Sequence, residues 1–282
     1  KGEYSASLDL VASKVEGGVY AHDEFSSNPD IVNKGTLSLI ADDATTGAGV
    51  EDVTLTIARA ENLEGVLKDV MEAAQAKIGD TYYTTLEKAF KAAQAGQTVT
   101  ILAGTYPVPA VKAGITIEGE MVEGKVAVLF EGTLSGTLEN LTMKNIHIKG
   151  ANAQRWAYAK GNLVFENVTF EATSVYALHF DGISAGTNLT YKDCTIIGWA
   201  AMGGSPASCT FDGCTIKGNG TYGVIRTYFD ATIKNCTFDV ANVNTTDAYQ
   251  DGIHAVEGAT VTVNGCTNVN GNMNDVVNVH GT

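Results

Sequence analysis

Six segments of the chain follow one eight-position pattern of apolar, any, apolar, any, turn residue, apolar, Thr, apolar. They begin at Leu141 (LTMKNIHI), Leu163 (LVFENVTF), Leu189 (LTYKDCTI), Cys209 (CTFDGCTI), Ala231 (ATIKNCTF) and Val261 (VTVNGCTN). On both sides of the fifth position apolar residues alternate with period two, the signature of strands with one buried face. The fifth position reads Asn145, Asn167, Asp193, Gly213, Asn235 and Gly265. These types enter left-handed backbone conformations at least cost, so a bend is predicted there. The next position reads Ile146, Val168, Cys194, Cys214, Cys236 and Cys266, in steps of 22, 26, 20, 22 and 30 residues. Thr169, Thr195, Thr215, Thr237 and Thr267 follow it, and threonine suits the outer face of a strand. Units this short cannot bury their own apolar face and must stack. Equivalent residues of stacked coils lie about 4.8 Å apart, so the Asn/Asp/Gly and Cys columns become ladders.

Over residues 96–282 this pattern resembles the pectate-lyase-like right-handed parallel β-helix superfamily. The resemblance rests on the ladders and on the stretch QTVTILAGTY at 97–106, which is similar to the usual first coil. It implies an all-β fold, a right-handed single-stranded parallel β-helix. An amphipathic helix over about residues 85–94 is expected to cap the open end, with Thr84 and Glu87 at capping-box spacing. The block 76–106 is also similar to a module of gut-bacterial surface proteins. The superfamily hosts lyases, hydrolases, esterases, adhesins and phage tailspikes, so fold does not choose function.

Upstream, alternating runs at 7–12, 36–41 and 53–58 predict a small β-rich region over residues 1–60. Residues 61–76 read as a helix, with Leu63, Val66, Leu67 and Val70 on one stripe. The expected organisation is therefore 1–60 β-rich region, 61–95 helical connector and cap, 96–282 β-helix.

Composition narrows the partners. A chain of 282 residues, 44% hydrophobic, can bury a large core. Its net charge of −14, with no basic patch, argues against nucleic acid and anionic membranes. No run of 18 apolar residues occurs, so membrane insertion is not expected. No signal segment is visible. The chain opens at Lys1 without a methionine and stops at Thr282 after a strand-like run, so the natural protein is expected to extend further. The surface-protein resemblance implies an extracellular or cell-surface location. Four of the five cysteines share the inward column and read as buried reduced thiols. There is no C-x-x-C spacing, and neither a metal nor a cofactor is expected.

Candidate chemistry lies on the more variable strand of each coil. Aligned on the bend, one column reads His179, Ala201, Ile225, His254, Asn278. Three positions earlier stand Tyr176, Gly198, Tyr222, Asp251 and Asp275. Asp251 and Asp275 thus fall on neighbouring coils, at the separation that paired glycosidase carboxylates use. Arg226 and His280 lie on the same sheet or at its edge. The run NDVVNVHGT at 274–282 is similar to the D-D-x-V-N-x-H-G-T segment of family 110 glycoside hydrolases, with Asn274 where the first Asp stands. That resemblance implies acidic, Asn and His roles for Asp275, Asn278 and His280. Aromatic residues, foremost Trp156 and Trp199, fall at loops and strand starts, where such rings stack on sugars. The expected partner is a polysaccharide or glycan. The leading reading is glycan binding or adhesion without turnover. Its rivals are a glycoside hydrolase or lyase using Asp251 and Asp275, with His179, Arg226, His254, Asn278, His280, Trp156 and Trp199 holding substrate, and a phage or fibre spike scaffold.

Overall fold

The computed structural model describes residues 55–56, 74–220, 224–241, 253–256, 258–270 and 277–279. The expected β-rich region over 1–60 and the helix over 61–76 fall largely outside these residues. The chain divides into two compact units, 1–93 with 99–102, and 94–98 with 103–282.

In the first unit, strands Ala76–Ile78 and Thr81–Tyr83 form an antiparallel hairpin with Ile78 opposite Thr81. The two-residue turn uses Gly79 at φ 57, which glycine adopts freely. Ala76 therefore opens a strand, where the apolar pattern of 61–76 had predicted the end of a helix. Leu55–Thr56 pairs with Thr81–Tyr83, and Ala76 pairs with Ile101 of strand Thr98–Ile101. Helix Leu86–Ala92 buries Leu86, Ala89 and Phe90. Its N-cap is Thr85, whose hydroxyl accepts from the Lys88 amide at 3.3 Å, rather than the predicted Thr84. Position N3 is then Lys88, so no reciprocal glutamate bond forms and the capping box is absent.

The second unit is a parallel β-solenoid of three sheets. The first sheet stacks Thr116–Gly119, Thr137–Lys144, Ala157–Glu166, Asn188–Lys192, Ser208–Asp212, Ala231–Lys234 and Val261–Asn264. The second runs from Gly104–Pro107 through Val128–Glu131, His147–Gly150, the start of Thr169–Ile183, the start of Thr195–Met202, Thr215–Lys217 and Thr237–Asp239 to Thr267–Asn270. The third is built from the starts of Thr137–Lys144 and Ala157–Glu166, the later parts of Thr169–Ile183 and Thr195–Met202, then Ile225–Thr227, Ile253–Ala255 and Val277–Val279.

The bend between the first two sheets is where the sequence places it. Asn145, Asn167, Asp193, Gly213, Asn235 and Gly265 have φ between 53 and 66. Their side chains bond along the stack: Asn167 Nδ2 donates to Asn145 Oδ1 at 2.9 Å, and Asn235 Nδ2 to Asp212 Oδ1 at 3.0 Å. Replacing Asn167 by Ala forfeits that bond, about 1 kcal/mol, and places a Cβ residue without local bonding in the left-handed region, about 1 kcal/mol more. Asn167→Ala is therefore expected to lose about 2 kcal/mol in urea unfolding, and Asn167→Gly about half of that.

Behind the bend, Cys194, Cys214 and Cys236 are buried and Cys266 is half-buried, all as free thiols on successive coils. Their Sγ–H groups donate to main-chain carbonyls, such as Cys214 to Tyr191 O at 3.3 Å. The hydrogen bond with Cys194, reinforced by burial, pushes the Cys214 thiol up to about 12, so it carries no thiolate chemistry at neutral pH. The interior of the first sheet carries an aromatic stack: Phe165 on Tyr191 at 5.1 Å and 11°, and Tyr191 on Phe211 at 4.7 Å and 8°.

The outer face of the first sheet alternates in charge: Glu118, Lys144, Glu166, Lys192, Asp212 and Lys234 occupy one register column. Glu166 is clasped from both sides, by Lys144 Nζ at 3.0 Å and Lys192 Nζ at 2.7 Å. Hydrogen bonds from Lys192 and Lys144 hold its carboxyl below the usual range. Exposed pairs add little stability individually. As a column they oppose mis-stacking, because any coil displaced by one rung meets its own charge.

Candidate functional site

Outward residues on the third sheet come from strand alternation. In strand Ile225–Thr227 the flanking Ile225 and Thr227 are buried and Arg226 points out. The register pairs His179 with Ala201, Ala201 with Arg226, Arg226 with His254, and His254 with Asn278. The sequence alignment had put Ile225 in this column, and equal spacing misplaces it by one residue. The observed register keeps Ile225 in the core beside Ala200 and Ile253, whereas the alternative would bury a guanidinium. A second shift occurs at Tyr176, which pairs with Trp199 rather than Gly198 because the ladder carries irregularities on both sides of Tyr176. Trp199 is thus a strand residue.

Ala201 leaves a gap between the larger side chains of His179 and Arg226. The result is a cleft of about 470 Å³ lined by Tyr176, His179, Asp181, Trp199, Arg226 and Tyr228, with Gly203 and Gly204 at one side. That volume lies within the range of small-molecule sites, about 300–1,000 Å³. Gly204 stands at φ 121, and a Cβ there would come within 2.2 Å of the Ile183 amide nitrogen, so only glycine fits.

Rings furnish one wall. Trp199 stacks on Tyr176 at 5.3 Å and 19°, Tyr176 leans on His179 at 4.3 Å, and Trp156 meets His179 edge-on at 5.2 Å. Arg155 lies over both Trp156 and Tyr176, at 4.8 and 5.2 Å, and Arg226 lies over Tyr228 at 4.9 Å. The chain holds two tryptophans, and both stand here.

His179 is fixed by an uncommon device. The buried Gln154 side chain accepts from the His179 amide at 2.6 Å and donates to its carbonyl at 2.7 Å, standing in for a strand neighbour. The imidazole is left with Nδ1 buried, without a hydrogen bond, 3.7 Å from Asp181 Oδ1. Arg155 Nε is likewise buried without one. Unpaired buried polar atoms are rare in folded proteins.

Burial is the main cause that lowers the pKa of His179; the Asp181 carboxylate opposes it and the Arg155 guanidinium adds to it. The native imidazole therefore takes its proton at lower pH than in the unfolded chain, about 6.5. The stability this contributes is present above about pH 6.5 and is lost as pH falls through that value toward the native pKa. Unfolding midpoints should decline as pH falls below about 6.5. His179→Asn should flatten that decline, and Asp181→Asn should steepen it, because the carboxylate that supports the imidazolium is gone.

Among the residues expected from sequence, His179, Arg226 and Trp199 line the cleft and Trp156 borders it. His254 is buried one rung beyond Arg226. Asn278 lies on the next strand, Val277–Val279. Asp251, Asp275 and His280 lie outside the described residues. Asp181 did not stand out in sequence, because no periodic signal marks it. Among the described residues no group of three or more His, Cys, Asp or Glu could hold a metal ion. No described helix is long and apolar enough to cross a membrane.

Residues 126–282, more than half of the chain, match the family model described as right handed beta helix region. No curated protein and no solved structure matches the chain.

Proposed function

The chain belongs to the right-handed β-helix family, and on that premise we propose that it is an extracellular or cell-surface glycan-binding protein that holds its ligand in the third-sheet cleft without turnover. One observation carries this reading. Trp199, Tyr176 and Tyr228 converge on a cleft that also holds a carboxylate and a guanidinium, while Trp156 stands outside its lining, against the far side of His179. A pyranose has an apolar face and a rim of hydroxyls. The Trp199–Tyr176 pair offers a flat amphipathic surface for the face. Asp181 accepts hydrogen bonds from hydroxyls, and Arg226 supplies N–H donors across the Ala201 floor.

Binding is favoured over turnover because glycoside hydrolysis uses two carboxyl groups flanking the scissile bond. Among the described residues that line the cleft, Asp181 is the one carboxylate. The test is a glycan array probed with the whole chain, followed by incubation of each hit and assay for new reducing ends or unsaturated products. Retention on a defined glycan set with no product supports the reading. Product formation replaces it with the enzyme reading, and an array without hits refutes it.

A further inference from the structure

Three large aromatic side chains are substantially exposed among the described residues: Trp156 at 52%, Tyr158 at 53% and Tyr228 at 48%. All belong to the coil edges around the third sheet, yet only Tyr228 lines the cleft. The other two stand beyond His179 and Asp181, on the side away from Arg226.

Trp156 is held in an unfavourable backbone state. Its φ is 61, in the left-handed region, where a bulky residue is rare. Burial does not account for this, because half of the side chain faces solvent. The segment before it is fastened instead: Leu134 bridges Gln154, the Arg155 amide donates to Leu134 O at 3.1 Å, and Gln154 is locked onto the main chain of His179. These ties aim the indole outward beside His179, with Arg155 against the ring. Strain that the surroundings enforce, on a side chain left open, is found where a surface does work.

Tyr158 is shaped by a neighbouring glycine. It opposes Gly182 in register, and a Cβ on Gly182 would come within 3.1 Å of its ring. The ring sits close to the Gly182 main chain, one residue on from Asp181, and is exposed. Tyr158 faces Gly182 and Ala201 faces His179, so the two lie two strands apart, about 10 Å across the stack, and are offset along the strand as well. That is farther than one pyranose reaches from the cleft floor.

We propose that the binding site continues from the cleft onto a second aromatic subsite formed by Trp156 and Tyr158, so that the ligand is an oligosaccharide running along the solenoid axis rather than a single sugar. This rests on the glycan-binding reading above. The two subsites share His179 and Asp181 as their border: Trp156 touches the imidazole, and Tyr158 lies over the glycine after the carboxylate. Arg155, stacked on Trp156 and Tyr176, ties the two ring groups into one surface.

The experiment takes the tightest glycan from the array and its stepwise truncations down to the monosaccharide. Affinities are measured by calorimetry for the unmodified chain, Trp156→Gly and Tyr158→Ala. Glycine is chosen because it takes φ 61 without strain, so the urea midpoint of Trp156→Gly should not fall. Affinity should rise at least tenfold from monosaccharide to trisaccharide in the unmodified chain. In either variant that gain should shrink to less than threefold while monosaccharide affinity stays the same. A monosaccharide that binds as tightly as the longer chains overturns the second subsite and leaves the cleft standing. So does an equal loss at every length. No binding at any length overturns the glycan reading and this inference together.

Discussion

Tyr191→Ala is expected to cost about 4 kcal/mol, the largest stability effect of any single change considered, whereas Tyr191→Phe should gain about 1 kcal/mol. The first figure follows from the position of Tyr191. It is fully buried and sandwiched between Phe165 and Phe211, with Phe170 edge-on at 6.3 Å. Truncation leaves a ring-sized cavity inside a closed stack whose main chain is tied to both neighbouring coils. Collapse around it is limited, and costs of 3–5 kcal/mol are usual for such sites. The second figure comes from the hydroxyl, which is buried without a hydrogen-bond partner. Leaving such a group unsatisfied costs about 1–3 kcal/mol, and phenylalanine keeps the ring while removing it. Urea unfolding of the two variants decides the matter. If Tyr191→Phe is the less stable protein, the hydroxyl is hydrogen-bonded in solution and this account of Tyr191 is wrong.

Asp181→Asn should weaken glycan binding about 30-fold without lowering the unfolding midpoint at neutral pH. The carboxylate is partly exposed and its 3.7 Å approach to His179 is too long for a hydrogen bond, so the fold at neutral pH does not depend on it. In the bound state it accepts charge-assisted hydrogen bonds from sugar hydroxyls. Such bonds contribute about 1.5–3 kcal/mol, and 2 kcal/mol is about 30-fold in affinity. Asparagine preserves shape but replaces one acceptor oxygen with a donor. Titration followed by tryptophan fluorescence provides the readout, since both tryptophans lie at the site. Thr232→Ala, on the outer face of the first sheet, serves as control and should bind as the unmodified chain does.

Much of the architecture was legible because it is periodic. The bend position demands a left-handed residue coil after coil, and Asn145, Asn167, Asp193, Gly213, Asn235 and Gly265 advertise it. The cysteine column follows one residue later for the same reason. The third sheet is harder to read, because its strands are entered through loops of unequal length. An offset counted from the bend placed Ile225 outward, whereas burial free energy selects the register that exposes Arg226. The ladder irregularities at Tyr176 moved Trp199 onto it in place of Gly198. Asp181 and the cleft floor were not legible, since a cavity made by Ala201, Gly203 and Gly204 depends on what three separate coils leave unfilled. Near the N-terminal helix, two adjacent threonines offered two caps, and spacing to Glu87 pointed to Thr84 where Thr85 supplies the oxygen.

The most direct measurement is a crystal structure of the chain with the tightest array glycan bound. A sugar ring stacked on the Trp199–Tyr176 pair, with hydroxyls on Asp181 and the glycan continuing past His179 toward Trp156, is the predicted result. Glycan density on the threonine-bearing first or second sheet, with the third-sheet cleft empty, would contradict it.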